Sequence, residues 1–254
     1  MIGEVSGGLY EALADRYESP AARRLYQACA RRIAAQIPPS TTGRGLDLGC
    51  GTGLSTEVLV QDRPRIAWEG LDVAERMLAI ARTKPALAGV PLGLGAAESL
   101  PFPDASFHLV VVNVAYHWFQ TEARYEIRRV LAPEGKLLMV VPLRRPSGRA
   151  SGNRMLRRAL FARRGQVVSR PTQGETIERL YEAFAGWRNV TCEPFGLTER
   201  FSSGAEMARE LAARGSLQAV FGSAHQEASH DLMGGPDPAD LEFDWVFALL
   251  VAEG

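Results

Sequence analysis

The feature that most constrains this chain is the glycine-rich sequence LDLGCGTG at residues 46–53. Its leucines predict a short buried strand, and the run that begins at Leu54 predicts an amphipathic helix. Glycine lacks the Cβ atom that would keep a ligand away from the backbone, and it tolerates positive φ angles. The helix would present unpaired N–H groups and the positive end of its dipole to that ligand. This order of elements predicts a nucleotide or nucleoside pocket, although glycine loops also occur as plain turns.

The position of the next acidic residue favours a pocket over a plain turn. A second predicted strand, residues 66–71, ends at Asp72, about twenty residues beyond the glycine loop. A carboxylate at that point can accept hydrogen bonds from both hydroxyl groups of a ribose. The third glycine comes one residue earlier than in the dinucleotide pattern GxGxxG, which disfavours a pyrophosphate. A nucleoside without phosphates fits this loop better.

Composition limits the classes of protein to which the chain can belong. The 254 residues, 46% of them hydrophobic, can bury one substantial core, so we expect residues 1–254 to form a single domain. Lys and Arg number 29, as do Asp and Glu, and this balance disfavours nucleic acid as a partner. Three scattered cysteines, no basic leader and no membrane-length apolar stretch predict a cytoplasmic protein without a membrane partner.

Four segments in a fixed order carry a family resemblance. They are LDLGCGTG, GLDVAERML at 70–78, AAESLPFPDASFHLVVVNVAYHWF at 96–119 and RVLAPEGKLLMV at 129–140. Together they resemble the class I S-adenosylmethionine-dependent methyltransferases of the small-molecule, type 11 kind, over residues of about 45–141. The resemblance implies an α/β fold: a Rossmann-like seven-stranded sheet, mostly parallel with the last strand antiparallel. Helices on both faces and a helical substrate cap are implied as well.

The same resemblance divides the chain and names its cofactor. The predicted parts are an N-terminal helical cap (1–40), a cofactor-binding core (41–142), a basic substrate-cap insertion (143–186) and the C-terminal strands (187–254). Residues 243–251 are predicted to form the last strand, at the sheet's edge, and 215–240 a Gly-, Ser- and Pro-rich loop. The implied cofactor is S-adenosyl-L-methionine, which leaves as S-adenosyl-L-homocysteine, and no metal is expected.

A set of cofactor-binding residues follows from this resemblance. Tyr17 would bind the methionine carboxylate or close over the substrate, and Met77 would pack on the adenine ring or belong to the core. Ala96 stands where relatives usually have Asp or Asn, so the Ala97 backbone or the Glu98 carboxylate must contact the adenine amino group. The full predicted set is Tyr17, Asp47, Gly49, Cys50, Gly51, Gly53, Asp72, Val73, Met77, Ala97, Glu98 and Asn113.

The candidate catalytic residues follow the fourth predicted strand, which ends at Asn113. Ligands bind beyond the carboxyl ends of strands in open α/β sheets, and a polar, aromatic-rich sequence lies there. His117 is the first candidate for a general base and Tyr116 the second, although His117 could equally be a buried core residue. Trp118 and Phe119 are predicted to build the pocket wall or the core.

Nine arginines fall between residues 144 and 170, with no acidic residue between Glu134 and Glu175. They could form a solvated helix face, or they could bind an anionic acceptor such as a carboxylate, a phosphate or an acidic carrier protein. Nucleic acid ranks third. The predicted substrate-binding set is therefore Tyr116, His117, Trp118, Arg144 and Arg145.

Three functions remain open from sequence. The first is methyl transfer to the O, N or C atom of a small molecule, with His117 as a possible base. The second is carboxyl O-methylation of a free or carrier-bound acid, because an Asn-x-Ala-x-x-Trp pattern at 113–118 resembles malonyl-carrier-protein methyltransferases. The third is a non-catalytic cofactor-binding regulator or subunit, suggested by Ala96 and by His108 at a position where relatives have Asp. Sequence identifies neither the acceptor nor the oligomeric state.

Overall fold

A computed structural model describes residues 2–143, 152–156, 175–214, 216, 225–233 and 241–254; for 2–7, 225, 227 and 228 it describes the backbone only. Seven strands form one sheet in the order β3-β2-β1-β4-β5-β7-β6. Their bounds are β1 Gly43–Leu48, β2 Ile66–Asp72, β3 Leu92–Leu94, β4 Phe107–Asn113, β5 Leu131–Pro142, β6 Arg188–Phe201 and β7 Leu241–Glu253. Neighbouring strands from β1 to β5 are parallel, and β7 is antiparallel to both β5 and β6. The predicted fold class is confirmed.

Eight helices of seven or more residues are described. They are α1 Ile2–Leu13, α2 Pro20–Ala34, α3 Leu54–Asp62, α4 Glu75–Arg82, α5 Glu122–Val130, α6 Ile177–Ala183, α7 Gly204–Ala213 and α8 His225–Met233. Single 3-10 turns lie at Ala14–Arg16, Pro85–Leu87 and Tyr116–Trp118, and residues 152–156 are also helical. Of the predicted insertion 143–186, residues 144–151 and 157–174 lie outside the described part, so the helical substrate cap stays a prediction.

Local sequence explains where several helices begin. Ser19 and Ser203 cap α2 and α7, each accepting a backbone N–H three residues on, at 3.1 Å. Pro20 occupies the first turn of α2, where its missing N–H costs nothing. The helix α3 begins instead after Gly53, whose φ of 82° lies in the left-handed region.

The core lies on both faces of the sheet, as its apolar strands require. Along β4, Val110 and Val112 contribute to one core cluster and Leu109 and Val111 to another, because successive side chains point to opposite faces. The first cluster contains Ala123, Ile127 and Val130 of α5, and the second contains Leu25, Cys29 and Ile33 of α2. Parallel strands that are buried on both faces read as continuous apolar runs, which explains the sequences of β4 and β5.

Two expectations for the C-terminal part are wrong. The last strand, β7, does not lie at the edge: it pairs with β5 on one side and with β6 on the other, and β6 is the edge strand. Pro194 lies within β6, and an edge strand tolerates the missing N–H of proline. Residues 225–233, predicted as loop, form α8, whose own sequence contains neither Gly nor Pro and whose Leu232 is buried.

The β6–β7 pair extends beyond the carboxyl end of β5. Pro142, the last residue of β5, pairs with Phe247, whereas the β6–β7 ladder continues from there to Phe201 and Leu241. This extension packs against α7 through a separate apolar cluster that includes Phe201, Met207, Leu211 and Phe243. These elements therefore stand at the edge of the sheet where α/β proteins bind ligands.

Candidate functional site

A cavity of about 390 Å³ lies at the carboxyl edge of the sheet. The loops after β1, β2, β3 and β4 and the N-terminal segment that contains α1 contribute to its wall. The lining residues are Tyr10, Tyr17, Leu48, Gly49, Gly51, Leu71, Asp72, Val73, Met77, Gly95, Ala96, Ala97, Glu98, Asn113, Val114, Ala115, Trp118, Phe119 and Gln120. Nine of the predicted cofactor-binding residues are among them.

The three glycines of the loop after β1 all have positive φ, but they have different neighbours. A Cβ atom on Gly51 would meet no protein atom within 4 Å, so this position opens onto the cavity. A Cβ atom on Gly49 would lie 2.7 Å from the Cβ of Ala115, in the loop after β4. On Gly53 it would lie 2.4 Å from Leu87 Cδ1, in the 3-10 turn behind the wall. Only Gly51 keeps space free for a ligand.

Asp72 ties the first two loops together at the cavity. Its Oδ2 accepts the Gly51 N–H at 2.7 Å, and its Oδ1 accepts the Ala74 N–H at 2.9 Å. Burial raises the pKa of this carboxyl group, and the backbone N–H donors oppose that rise. Since each carboxylate oxygen has more than one lone pair, the side chain can still accept hydrogen bonds from a ligand.

Asp47, Cys50 and Gly53 lie behind the wall. Asp47 is fully buried and accepts a hydrogen bond from Thr56 Oγ1 at 2.7 Å, which joins the end of β1 to α3. Burial raises the pKa of Asp47 to about 7. Cys50 contacts β2, where a Cβ on Gly70 would lie 2.9 Å from its sulfur, and burial raises the pKa of its thiol. Any role of these three residues toward a cofactor is indirect and stays a prediction.

Five lining residues stand where an adenine ring is expected. Met77 is buried in a cluster with Ala14 and Ala74, whereas Val73 is 42% exposed. The Glu98 carboxylate accepts the Gln120 N–H at 2.7 Å, so it joins the loop after β3 to the loop after β4. Its neighbours Ala96 and Ala97 have no polar side-chain atoms, so Glu98 supplies the carboxylate oxygen atoms of this part of the wall.

The end of β4 combines a polar anchor with backbone strain. Asn113 Nδ2 donates to the Tyr26 carbonyl at 2.9 Å and to Ser55 Oγ at 2.6 Å, while its Oδ1 is buried with no partner in the described chain. Val114 has a φ of 58°, an unusual conformation for a β-branched residue. Strain of this kind persists where the surrounding structure enforces it, often at functional sites.

Aromatic side chains form one part of the cavity wall. The Tyr10 ring packs edge to face against Tyr17 and Trp118, with ring centroids 5.8 Å and 5.7 Å apart. Tyr17 in turn stacks on Tyr26, with centroids 5.1 Å apart. The seven-residue spacing of Tyr10 and Tyr17 is the sequence signal for this wall. Phe119, predicted with Trp118 to build the pocket wall or the core, lines the cavity, whereas Tyr10 and Gln120 were missed as site residues because their position depends on how distant elements pack.

Two predicted catalytic residues, His117 and Tyr116, do not line the cavity. Burial lowers the pKa of His117 to about 4, and its Nδ1 has no partner in the described chain. Tyr116 packs against Phe119 and Phe184, and burial raises its pKa to about 12. Arg144 and Arg145 lie outside the described residues. The catalytic and substrate-binding roles of these four residues stay predictions.

The charge of the described wall is acidic. Asp72 and Glu98 are its carboxylates, and the lining residues include no Lys, Arg or His. Among the described helices, none is both long and apolar enough to cross a membrane. In the same part of the chain, no three His, Cys, Asp or Glu side chains come together as metal ligands would.

Comparison with known proteins agrees with this geometry. The sequence model of the family "Methyltransferase domain" matches residues 46–139. The chain is 41% identical over 103 residues to malonyl-[acyl-carrier protein] O-methyltransferase of Methylococcus capsulatus, covering 39% of this chain and 36% of that protein. It is 35% identical over 145 residues to trans-aconitate 2-methyltransferase of Methylobacterium nodulans, covering 55% of this chain and 51% of that protein. The chain thus spans about a third to a half of the length of these curated relatives.

A solved structure shares the fold over a greater length. The YcgJ protein from Bacillus subtilis superimposes with a TM-score of 0.60 at 17% identity, covering 89% of this chain and 97% of that one. The sheet order, the cavity at its carboxyl edge and the family match agree with one another. Residues 46–139 match a methyltransferase domain, within a fold that the solved structure shares.

Proposed function

We propose that the protein transfers a methyl group from S-adenosyl-L-methionine to a small-molecule acceptor. The observation that carries this proposal is the Asp72 carboxylate, which is fixed by the Gly51 and Ala74 N–H groups beside the open position at Gly51. A rigid carboxylate beside a backbone without a Cβ suits a ribose whose hydroxyl groups donate to it.

The rest of the lining fits the remainder of the cofactor. Val73, Met77 and Ala97 offer apolar contacts to an adenine ring, and Glu98 offers an acceptor for its amino group. Asn113 Oδ1, buried and unpartnered in the described chain, is an acceptor suited to the ammonium group of the methionine part. Gly49 and Tyr17 complete that end of the site. The acidic wall also suits a ligand that carries a positive sulfur.

The cofactor supplies an electrophilic methyl group bound to a positively charged sulfur. The chain's own task is to hold the acceptor in line with that group and to exclude water, so most of the catalysis is positioning. Tyr10, Tyr17 and Trp118 form an apolar wall suited to both tasks. The described lining includes no His, Lys or Cys side chain that could act as a general base.

A specific observation favours carboxyl O-methylation as a second, narrower candidate. His117, the predicted base, lies off the cavity wall, and its pKa of about 4 makes it a weak proton acceptor. A carboxylate acceptor is already ionised at pH 7 and requires no base. The names of the curated relatives, malonyl-[acyl-carrier protein] O-methyltransferase and trans-aconitate 2-methyltransferase, agree with an acidic acceptor, free or carrier-bound. Arginines of 144–170 would then hold the anion.

The non-catalytic alternative receives less support. His108 is the second residue of strand β4, at the end away from the cavity, and its Nδ1 accepts the Arg44 N–H at 3.2 Å. Its departure from the family pattern therefore does not touch the site. Ala96 does line the cavity, but Glu98 lies two residues farther on and brings a carboxylate to the same wall.

One experiment separates these functions. The purified protein is incubated with methyl-labelled S-adenosyl-L-methionine and a panel of carboxylic acids, phenols and amines, and formation of S-adenosyl-L-homocysteine is followed. Carboxyl methylation yields label that mild base releases as methanol, whereas N- or C-methyl products retain it. If the protein binds the cofactor but forms no labelled product with any acceptor, the result would support the non-catalytic regulator.

If acids are accepted, Arg144→Ala and Arg145→Ala test the predicted anion site. We expect both variants to raise the KM for the acid and to weaken its dependence on salt, because a lost ion pair removes a screened attraction. The exposed Arg44, at the amino end of β1 and paired with Glu69, provides a matched Arg→Ala control for which the KM should not change.

A further inference from the structure

The segment at residues 17–19 is held from two sides. Tyr17 lines the cavity and stacks on Tyr26. The next residue, Glu18, accepts hydrogen bonds from Lys84 at 2.8 Å and from Arg23 at 2.6 Å. Since Lys84 follows α4, this contact anchors the segment to the cofactor-binding core.

Ser19 anchors the same segment in a different direction. Its hydroxyl group donates to Glu210 Oε2 at 2.5 Å and accepts the Ala22 N–H at 3.1 Å, so one side chain both caps α2 and contacts α7. The two residues are 191 positions apart in sequence. Ser19 thereby connects the wall of the cavity to the elements that extend beyond β5.

Glu210 is fixed by its surroundings on α7. Arg214, fully buried, donates from Nε to the Glu210 carbonyl at 3.2 Å, and its Nη2 lies 3.8 Å from Glu210 Oε2. Arg214 Nη1 donates to Glu199 of β6 at 2.8 Å, and Trp245 of β7 donates to the same carboxylate oxygen. The hydrogen-bonded chain therefore runs from the β6–β7 extension through α7 to Ser19.

The positive charge of Arg214 also acts on the tyrosines beside the cavity. Arg214 opposes the burial-driven rise of the pKa of Tyr26, the ring on which Tyr17 stacks. The Arg214 guanidinium group therefore acts electrostatically on the aromatic wall. The end of α7 is thus linked to the cavity by charge as well as by hydrogen bonds.

We propose that Glu210 is a positioning residue for cofactor binding: through Ser19 it holds Tyr17 against the cavity and so couples the cofactor site to α7 and the β6–β7 extension. This inference rests on the proposed function, because it assumes that the cavity binds the methyl donor. Elements that extend beyond the carboxyl edge are placed to contact an acceptor, so the link would let acceptor contacts on α7 change cofactor affinity.

The test is a double-mutant cycle read by calorimetric titration with S-adenosyl-L-homocysteine. We expect Glu210→Ala to weaken binding about fivefold, the size of one intramolecular hydrogen bond. In the Ser19→Ala background the same change should weaken binding by less than about twofold, because the partner is already gone. Glu210→Gln retains an acceptor oxygen for the Ser19 hydroxyl group and should bind within about twofold of wild type.

Thr176→Ala is the matched control for a lost helix cap. Thr176 caps α6 as Ser19 caps α2, accepting the Arg179 N–H at 3.2 Å, so its removal should lower the Tm by a similar amount without changing affinity. Effects of Ser19→Ala and Glu210→Ala that multiply, or variants that lower only the Tm, would overturn the inference alone. Failure of the wild-type protein to bind S-adenosyl-L-homocysteine would instead overturn the proposed function, and the inference with it.

Discussion

The loop after β1 and the loop after β4 border the same cavity, but they are built differently. The first loop, residues 49–53, borders the cavity with glycine backbone, and a single carboxylate holds it in place: Asp72 accepts the Gly51 N–H. In the second, residues 113–120, side chains are held by distant parts of the chain, Asn113 by Tyr26 and Ser55, and the Gln120 N–H by Glu98. The second loop also contains the strained Val114.

We propose that this difference separates cofactor binding from acceptor choice. A backbone cradle fits one small ligand closely and leaves little freedom for change, whereas a wall of aromatic side chains can vary without disturbing the sheet. We therefore expect a substitution at the open position of the first loop, Gly51, to reduce cofactor binding most, and substitutions in the aromatic part of the second loop to alter stability and acceptor preference with smaller effects on cofactor affinity.

The largest effect is expected from Gly51→Val. The new side chain would enter space that the cofactor needs, and we expect affinity for S-adenosyl-L-homocysteine to fall about 100-fold, a cost typical of overpacking a fitted site. Gly89→Val is the control, since Gly89 also has a positive φ with no atom near its Cβ position but lies off the cavity. Equal affinity losses in the two variants would mean that backbone strain, rather than the ligand, sets the effect.

Gly53→Ala should act on stability instead. Its Cβ would lie 2.4 Å from Leu87, so overpacking adds to left-handed strain, and we expect the free energy of unfolding to fall by about 2–4 kcal/mol. Gly89→Ala bears the strain alone and should cost about 1–2 kcal/mol. Chemical denaturation measures both, and an equal loss in the two variants would argue against the contact with Leu87.

His117→Gln should change the pH dependence of stability more than catalysis. The pKa of His117 is lowered to about 4 in the folded protein, so the folded state disfavours its protonation. Its contribution to stability is present above the unfolded pKa of about 6.5 and is lost as pH falls from there toward 4. Between pH 7 and pH 5 we expect the variant to lose about 1–2 kcal/mol less stability than wild type.

A general-base role for His117 makes a different prediction. Its loss would lower the rate of methyl transfer about 100-fold, whereas a buried structural histidine would change that rate only a few-fold. Rates measured with wild type and His117→Gln on the same acceptor decide between the two.

Val114→Gly is expected to have the smallest effect. Relief of the left-handed strain should offset much of the lost side-chain packing, so we expect stability to change by about 1 kcal/mol or less. The matched change Val112→Gly, on a fully buried strand residue with no such strain, should cost about 3 kcal/mol or more. Similar losses at the two positions would indicate that Val114 is not strained in solution.

Sequence predicted the first loop well because its determinants are local. The glycine spacing and the distance to Asp72 follow from one strand–loop–helix unit, and the apolar runs of β4 and β5 follow from burial on both faces. For the second loop, sequence predicted its position after β4 but not its neighbours in space, because the placement of Tyr10, Glu98 and Gln120 depends on packing between distant elements. For the same reason, β7 was misplaced at the edge: strand order beyond β5 is set by which neighbour covers it, and no local pattern encodes that.

The most direct test of this account is calorimetric titration with S-adenosyl-L-methionine of three proteins: wild type, Asp72→Ala and Asp62→Ala. Asp62 is an exposed acid at the end of α3 and controls for the loss of charge. We predict that wild type and Asp62→Ala bind equally and that Asp72→Ala binds at least about 50-fold more weakly, since two hydrogen bonds to a charged group are lost. No binding by the wild-type protein, or equal binding by all three, would contradict the assignment of this cavity to the cofactor.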